Sequence, residues 1–224
     1  MNLNNKQKIY LTNIFIIDWD DTLFPTSWVN ENNINLQDDK SVSEYKLYFI
    51  DLDKILSSFL ESFSAKGDIF IVSNASLLWI RSCLNILPLT SKIVIINKIR
   101  LVSARDLYST IVNTSTEWKI LTFQDVINDN LNKIKKIRPN TYLNILSIGD
   151  AKYEYIALLN LNEYLLENNM IKEYKKKDNF NFLLKSVKFI EKPKFEYLID
   201  QIKVFDKNQD LIINTLEYID LKFD

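Results

Sequence analysis

Ile14-Phe15-Ile16-Ile17-Asp18-Trp19-Asp20-Asp21-Thr22-Leu23 decides how this chain reads. Four apolar residues run directly into three carboxylates within four positions, and a Thr follows. Strands end in turn or cap residues more readily than in a cluster of acids. Like charges that close repel, and each costs free energy to desolvate. The cluster is tolerable if a cation sits among the carboxylates or if water reaches them freely. The first case implies a hard, oxygen-loving ion, most simply Mg²⁺. The second is a strand that runs out into a solvated acidic turn.

Outward from this stretch, short apolar runs recur at Ile14–Asp18, Asp68–Ser73, Lys92–Ile96, Tyr142–Ile148 and Ser186–Ile190. The central runs are nearly continuous in Ile, Val, Leu and Phe, as expected for strands buried on both faces of a parallel sheet. Segments with helical spacing lie between them: Ser43–Ser64, Leu77–Leu87, Trp118–Ile134 and Tyr153–Leu166, then one long or two shorter helices in Glu196–Leu221. Strands alternating with helices predict an α/β fold, a doubly wound and mainly parallel sheet with helices on both faces. Asn30–Ser43 reads as an irregular loop and Lys172–Asn181 as a charged connector. With two Gly and four Pro, boundaries are weakly punctuated. The reading is a single domain over 1–224, with a minimal insertion at about 24–45 and a C-terminal strand and helix at about 185–222.

Composition narrows the chemistry. The net charge is −1, so no global basic field attracts nucleic acid. No His is present, which removes His-based zinc sites and Ser-His-Asp triads. Acid–base work must fall to Asp, Glu, Lys, Tyr or Cys. One Cys, Cys83, excludes an internal disulfide and suits a reducing compartment. No apolar run is long enough to cross a bilayer, and Met1–Thr12 lacks the apolar core of a signal peptide. The expectation is a cytoplasmic protein with no membrane and no nucleic-acid partner. The sequence leaves the oligomeric state open.

In open parallel sheets, ligands bind beyond the carboxyl ends of strands. Four polar groups stand at or near such ends: Asp18/Asp20/Thr22, Ser73-Asn74, Lys119, and Gly149-Asp150 with Glu154. In this order and spacing the chain resembles the haloacid dehalogenase superfamily of aspartate-nucleophile phosphohydrolases. Asp18-Trp19-Asp20-Asp21-Thr22-Leu23 matches its Asp-x-Asp-x-Thr signature. Ser73 matches the second-motif Ser/Thr, Lys119 the third-motif Lys, and Asp150 with Glu154 the fourth-motif acid pair.

The resemblance implies a Mg²⁺-dependent phosphatase. Asp18 would attack phosphorus and form an aspartyl-phosphate, splitting one hard displacement into two easier ones. Asp20 would protonate the leaving oxygen and then activate water. Asp18, the backbone carbonyl of Asp20, Asp150 and, mainly through bound water, Glu154 would hold the metal. Thr22, Ser73, Asn74 and Lys119 would hold phosphoryl oxygens. About fifty residues separate Thr22 from Ser73 and about forty-five separate Ser73 from Lys119, too few for a large substrate-selecting cap. An open site suits a bulky phosphorylated substrate such as a phosphoprotein.

Taken singly, each group has a plainer reading. Ser73-Asn74 is a strand-to-helix cap. Lys119 is one surface lysine among many, with Lys92 and Lys98 as rivals. Glu154 is a first-turn helix acid. Asp21 is a solvated residue or a structural turn residue, with no catalytic role. Gly149 supplies backbone freedom before an acid. Ser103-Ala104-Arg105-Asp106 forms a loop in which Arg105 offers a phosphate contact or a surface salt bridge. Phe24 and Trp28 line the mouth or pack beneath the loop. Two other functions compete with the phosphatase: a catalytically inactive binding or scaffold protein on the same fold, and a phosphotransferase or phosphate receiver.

Overall fold

A computed structural model describes residues 8–133, 140–167, 172 and 181–224. The chain alternates strand and helix. β1 (Tyr10–Ile17), α1 (Thr26–Glu31), α2 (Asp39–Glu44) and α3 (Lys46–Ser64) come first, then β2 (Asp68–Ser73), α4 (Leu77–Asn85) and α5 (Pro88–Ile96). β3 (Arg100–Ser103), α6 (Ala104–Tyr108), α7 (Ser115–Lys133), β4 (Thr141–Gly149) and α8 (Lys152–Glu167) follow. β5 (Asn181–Lys188), α9 (Phe195–Asn214) and β6 (Ile219–Lys222) complete the described part. Six strands form one sheet in the order β3-β2-β1-β4-β5-β6, every pairing parallel. This is a doubly wound α/β fold. The strand order reverses between β1 and β4, and that reversal opens a crevice at their carboxyl ends.

The continuous apolar runs serve two cores at once, because alternate side chains of a strand face opposite sides. Phe15, Ile17, Ile69, Ile71, Leu146 and Ile148 face one layer, packed by α3, α4 and α9. Ile14, Ile16, Phe70, Val72, Leu143 and Ile145 face the other, packed by α6, α7 and α8. Apolar residues on both faces of β1, β2 and β4 therefore produce unbroken runs rather than alternation.

Several expected elements change. Lys92–Ile96 is not a strand but the second half of α5. Pro88 sits in the first helical turn, where its fixed φ is already helical. The Asp53 carboxylate of α3 accepts hydrogen bonds from the amides of Leu89 (2.9 Å) and Thr90 (2.7 Å), satisfying the free N–H groups of that turn. Thr90 and Val94 are buried at helical spacing, whereas Ile95 and Ile96 are exposed. The third strand is instead Arg100–Ser103. Asn30–Ser43 is not one loop, since it holds the end of α1 and most of α2. Ser103–Asp106 is not a loop either. Ser103 ends β3 and caps α6 by accepting the Asp106 amide at 2.9 Å. Glu196–Leu221 resolves into one helix and a strand, and the strand expected at Ser186–Ile190 begins at Asn181 and ends at Lys188. Ile134 and nearly all of the expected Lys172–Asn181 connector lie outside the described residues, as do residues 1–7. Among the described residues no helix is long and apolar enough to cross a membrane.

Residues 24–45 fold back onto the α3/α9 side. Phe24 is fully buried and stacks on Trp19 and Phe49. Trp28 packs against Tyr45, Tyr48 and Phe195 with ring centroids 5.0–5.5 Å apart. Both aromatics therefore pack beneath the loop.

A polar seam pins α3 and α9 to this sheet face. Asn13 donates to the Lys66 carbonyl just past α3 (2.8 Å). Asn144 donates to Asn13 Oδ1 (2.8 Å) and to the Ile213 carbonyl of α9 (3.0 Å). The buried Lys185 ammonium donates to the carbonyls of Ile212 (2.7 Å) and Ile213 (2.8 Å), capping the C-terminus of α9. Replacing Asn144 by Leu strands the half-buried Asn13 oxygen. It should lower stability by about 1–3 kcal/mol, read as a reduced urea midpoint.

Candidate functional site

Three strand ends deliver the acids and hydroxyls. Asp18 follows β1 immediately, and its amide still donates to the Ile148 carbonyl of β4 at 2.9 Å. The pairing Ile17↔Ile148 therefore brings Asp18 beside Gly149 and Asp150 at the point where strand order reverses. Ser73 ends β2, the strand on the other side of β1.

Lys119 of α7 reaches in from the opposite face of the sheet. It is 1% exposed. Its Nζ donates to Asp18 Oδ1 (2.5 Å), Glu154 Oε1 (2.7 Å) and the Val72 carbonyl (2.6 Å), so all three ammonium hydrogens are used. Burial alone would pull its pKa down, but Asp18 and Glu154 outweigh that and hold it well above the usual lysine range. Lys119 is therefore a fixed positive charge joining β1, β2, α7 and α8. The rival lysines, Lys92 and Lys98, are exposed.

One ammonium does not balance the acids around it. Burial raises Asp18 well above the ordinary carboxyl range. Lys119 opposes this, while Glu154, Asp20 and Asp150 add to it. Asp150 is pushed up to about 7, first by burial and then by Glu154 and Asp21. Asp18, Asp20, Asp150 and Glu154 thus share one electrostatic neighbourhood. The second oxygen of Glu154, Oε2, is buried and has no hydrogen-bond partner.

Gly149 explains the position of Glu154. Its φ is not positive, so backbone freedom is not what a glycine supplies here. Space is. A Cβ at Gly149 would stand 2.6 Å from Glu154 Cδ and 2.7 Å from Oε2. Only glycine lets Glu154 lie flat against the end of β4 and reach Lys119.

The bend after β1 holds the other two acids in different ways. Asp20 Oδ1 accepts from Thr26 Oγ1 (2.6 Å) and Trp79 Nε1 (2.8 Å), and Oδ2 accepts from Ser73 Oγ (2.7 Å). Asp20's carboxylate is thereby turned toward α1, α4 and β2. Asp21 has φ 55, in the left-handed region where Asp is tolerated. Its carboxylate accepts from the Ser27 amide (2.7 Å) and hydroxyl (2.5 Å), so it is buried and braces the turn while its charge still reaches Asp150.

The remaining expected residues are placed as follows. Thr22 is fully buried and its hydroxyl has no partner. Ser73 Oγ accepts the Ala75 amide (2.8 Å) while donating to Asp20. Asn74 donates to the Ser115 carbonyl (3.2 Å), and its Oδ1 is buried without a partner. Arg105 is exposed on α6. Thr26, Ser27 and Trp79 were not singled out by the sequence. A Thr-Ser pair six residues past two acids is a recognisable turn brace, whereas nothing in the sequence marks Trp79 as a partner of Asp20.

Among the described residues no three Asp, Glu, Cys or His side chains form a ready-made metal cage. Mg²⁺ does not need one: it keeps several waters and takes one or two carboxylates alongside substrate phosphates. Asp18, Asp150 and the unpartnered Glu154 Oε2 are the hard oxygen donors on offer, and their surplus negative charge suits a divalent cation. No protein-family model matches the chain, and searches of curated proteins and of solved structures found no similar protein.

The raised pKa values predict a pH dependence. Asp150 holds its proton to about 7 when folded, against 3.8 for the free side chain. The folded state therefore binds more protons across that interval, and stability falls as pH rises through it. Asp18 acts in the same direction. In chelator, Tm should decline between about pH 4 and pH 7, and Asp150→Asn should flatten the decline.

Proposed function

We propose that this chain is a Mg²⁺-dependent phosphatase of the haloacid dehalogenase type, acting through an aspartyl-phosphate on Asp18. The observation that carries the reading is the convergence of Asp18, Lys119, Glu154 and Asp150 at the crevice between β1 and β4, with Asp20 on the same bend. Distant motifs that were related only by order meet in one electrostatic cluster.

The chemistry follows from those residues. Lys119 fixes one oxygen of Asp18 and leaves the carboxylate its second oxygen for attack on phosphorus. As that P–O bond forms, the bond to the leaving oxygen breaks, and Asp20 in its acid form supplies the proton. Asp20, now ionised, takes a proton from the water that attacks the aspartyl-phosphate, and this regenerates Asp18 and releases phosphate. Thr26, Trp79 and Ser73 hold the Asp20 carboxylate as an acceptor, the form required for that second step. Bound among Asp18, Asp150 and Glu154, Mg²⁺ would shield the anionic nucleophile from the anionic substrate. Ser73 gives its hydroxyl hydrogen to Asp20, so the second Asn74 amide hydrogen and the unpartnered Thr22 hydroxyl are the donors proposed for phosphoryl oxygens.

A general acid–base two residues from the nucleophile favours turnover over a long-lived phosphoenzyme, which is the expectation for a receiver. Residues 24–45 spend their large aromatics on α3 and α9, in keeping with an uncapped site and a macromolecular substrate such as a phosphoprotein. Asp18→Asn should abolish Mg²⁺-dependent release of phosphate from p-nitrophenyl phosphate and from phosphopeptides, with the circular dichroism spectrum unchanged. Undiminished hydrolysis by that variant refutes the assignment, and a wild-type chain with neither turnover nor Mg²⁺ binding is a scaffold protein.

A further inference from the structure

α3 and α9 lie side by side on one face of the sheet and enclose a groove of about 800 Å³. Its floor is apolar, made by Tyr48, Ile55, Phe195 and Ile199. Leu47 at its rim is 77% exposed. Both helices return the chain from the carboxyl edge of the sheet to its amino edge, since α3 leads from β1 into β2 and α9 from β5 into β6, all parallel. The helices are therefore parallel to each other, and the groove starts at the edge that bears Asp18.

Two features connect this groove to the site. Trp28 packs on Tyr48 and Phe195 at the groove's upper end. Two residues earlier, Thr26 holds Asp20. α1 thus touches both features, the acid bend through Thr26 and the groove's Tyr48 and Phe195 through Trp28. The charges along the groove are also ordered. Glu196 lies at the start of α9, Asp51 and Asp200 about one turn further, and Lys54 and Lys203 beyond them. From Glu196 to Lys203 is about 10 Å along the helix axis.

We propose that the α3/α9 groove docks an amphipathic helical segment of a phosphoprotein substrate. That segment presents an apolar stripe to the floor, basic residues on the turn nearest the phosphorylated residue, and acidic residues one to two turns further away. Acids near the site and lysines beyond it select this charge order, and the opposite order meets like charges at both ends. The identity of the substrate rests on the phosphatase reading, whereas the groove's charge preference does not.

The test uses the full chain and a labelled synthetic amphipathic peptide with this charge order, its charge-swapped twin, and the phosphorylated form of each. By fluorescence anisotropy, the unphosphorylated complementary peptide should bind at least about tenfold more tightly than its twin. The Asp51→Lys/Asp200→Lys variant should reverse that order while leaving hydrolysis of p-nitrophenyl phosphate unchanged. With the phosphorylated pair, the same preference should appear in KM rather than kcat. A preference in binding with no turnover of any ester would sink the phosphatase reading and keep the groove. Equal binding of the twins, or no reversal in the variant, overturns the groove proposal. So does a dimer in sedimentation velocity that Leu47→Glu dissolves, since the groove would then belong to a second copy.

Discussion

The buried ammonium of Lys119 is the interaction on which the site depends. It reaches Asp18, Glu154 and the Val72 carbonyl at once. These partners come from the ends of two strands and the first turn of α8, so one side chain fixes the relative position of elements far apart in sequence. Breaking a buried ion pair by removing one partner typically costs about 3–5 kcal/mol, because the other charge is stranded. Here the stranded group would be Asp18 or Glu154, inside a cluster already overloaded with carboxylates.

The topology sets where this cost is met. With the order β3-β2-β1-β4-β5-β6, helices leave β1 and β4 in opposite directions, so the residues that follow the two strands meet at the reversal. Asp18 and Asp150 stand at those two ends in matching register. The same sheet places α3 and α9 on one face and α7 on the other, so the charge that anchors Asp18 arrives from one layer and the α3/α9 groove belongs to the other. The buried charge cluster and the apolar groove are therefore served by opposite faces of a single sheet.

Much of this was legible in the sequence because both signals are strong. Unbroken apolar runs such as Ile69–Val72 mark strands buried on two faces, and acids directly after β1 and β4 mark the crevice. Lys92–Ile96 misled for a physical reason: an apolar run reads alike as strand or helix when a tertiary cap decides. That cap is the Asp53 carboxylate on Leu89 and Thr90, thirty-six and thirty-seven residues away in sequence. Gly149 was singled out correctly for the wrong property, since its missing Cβ makes room for Glu154 and its φ is ordinary. The clamp of Trp79 on Asp20 was invisible, because a side-chain donor arriving through tertiary packing leaves no spacing to read.

The central claim is that Asp18, Asp150 and Glu154 jointly receive one divalent cation beside Lys119. Anomalous diffraction from crystals soaked in Mn²⁺, a spectroscopically heavier stand-in for Mg²⁺, tests it directly. The account predicts a single strong peak in the crevice between the ends of β1 and β4, within bonding distance of the Asp18 and Asp150 carboxylates. A crevice without a peak in crystals that bind Mn²⁺ elsewhere would contradict it.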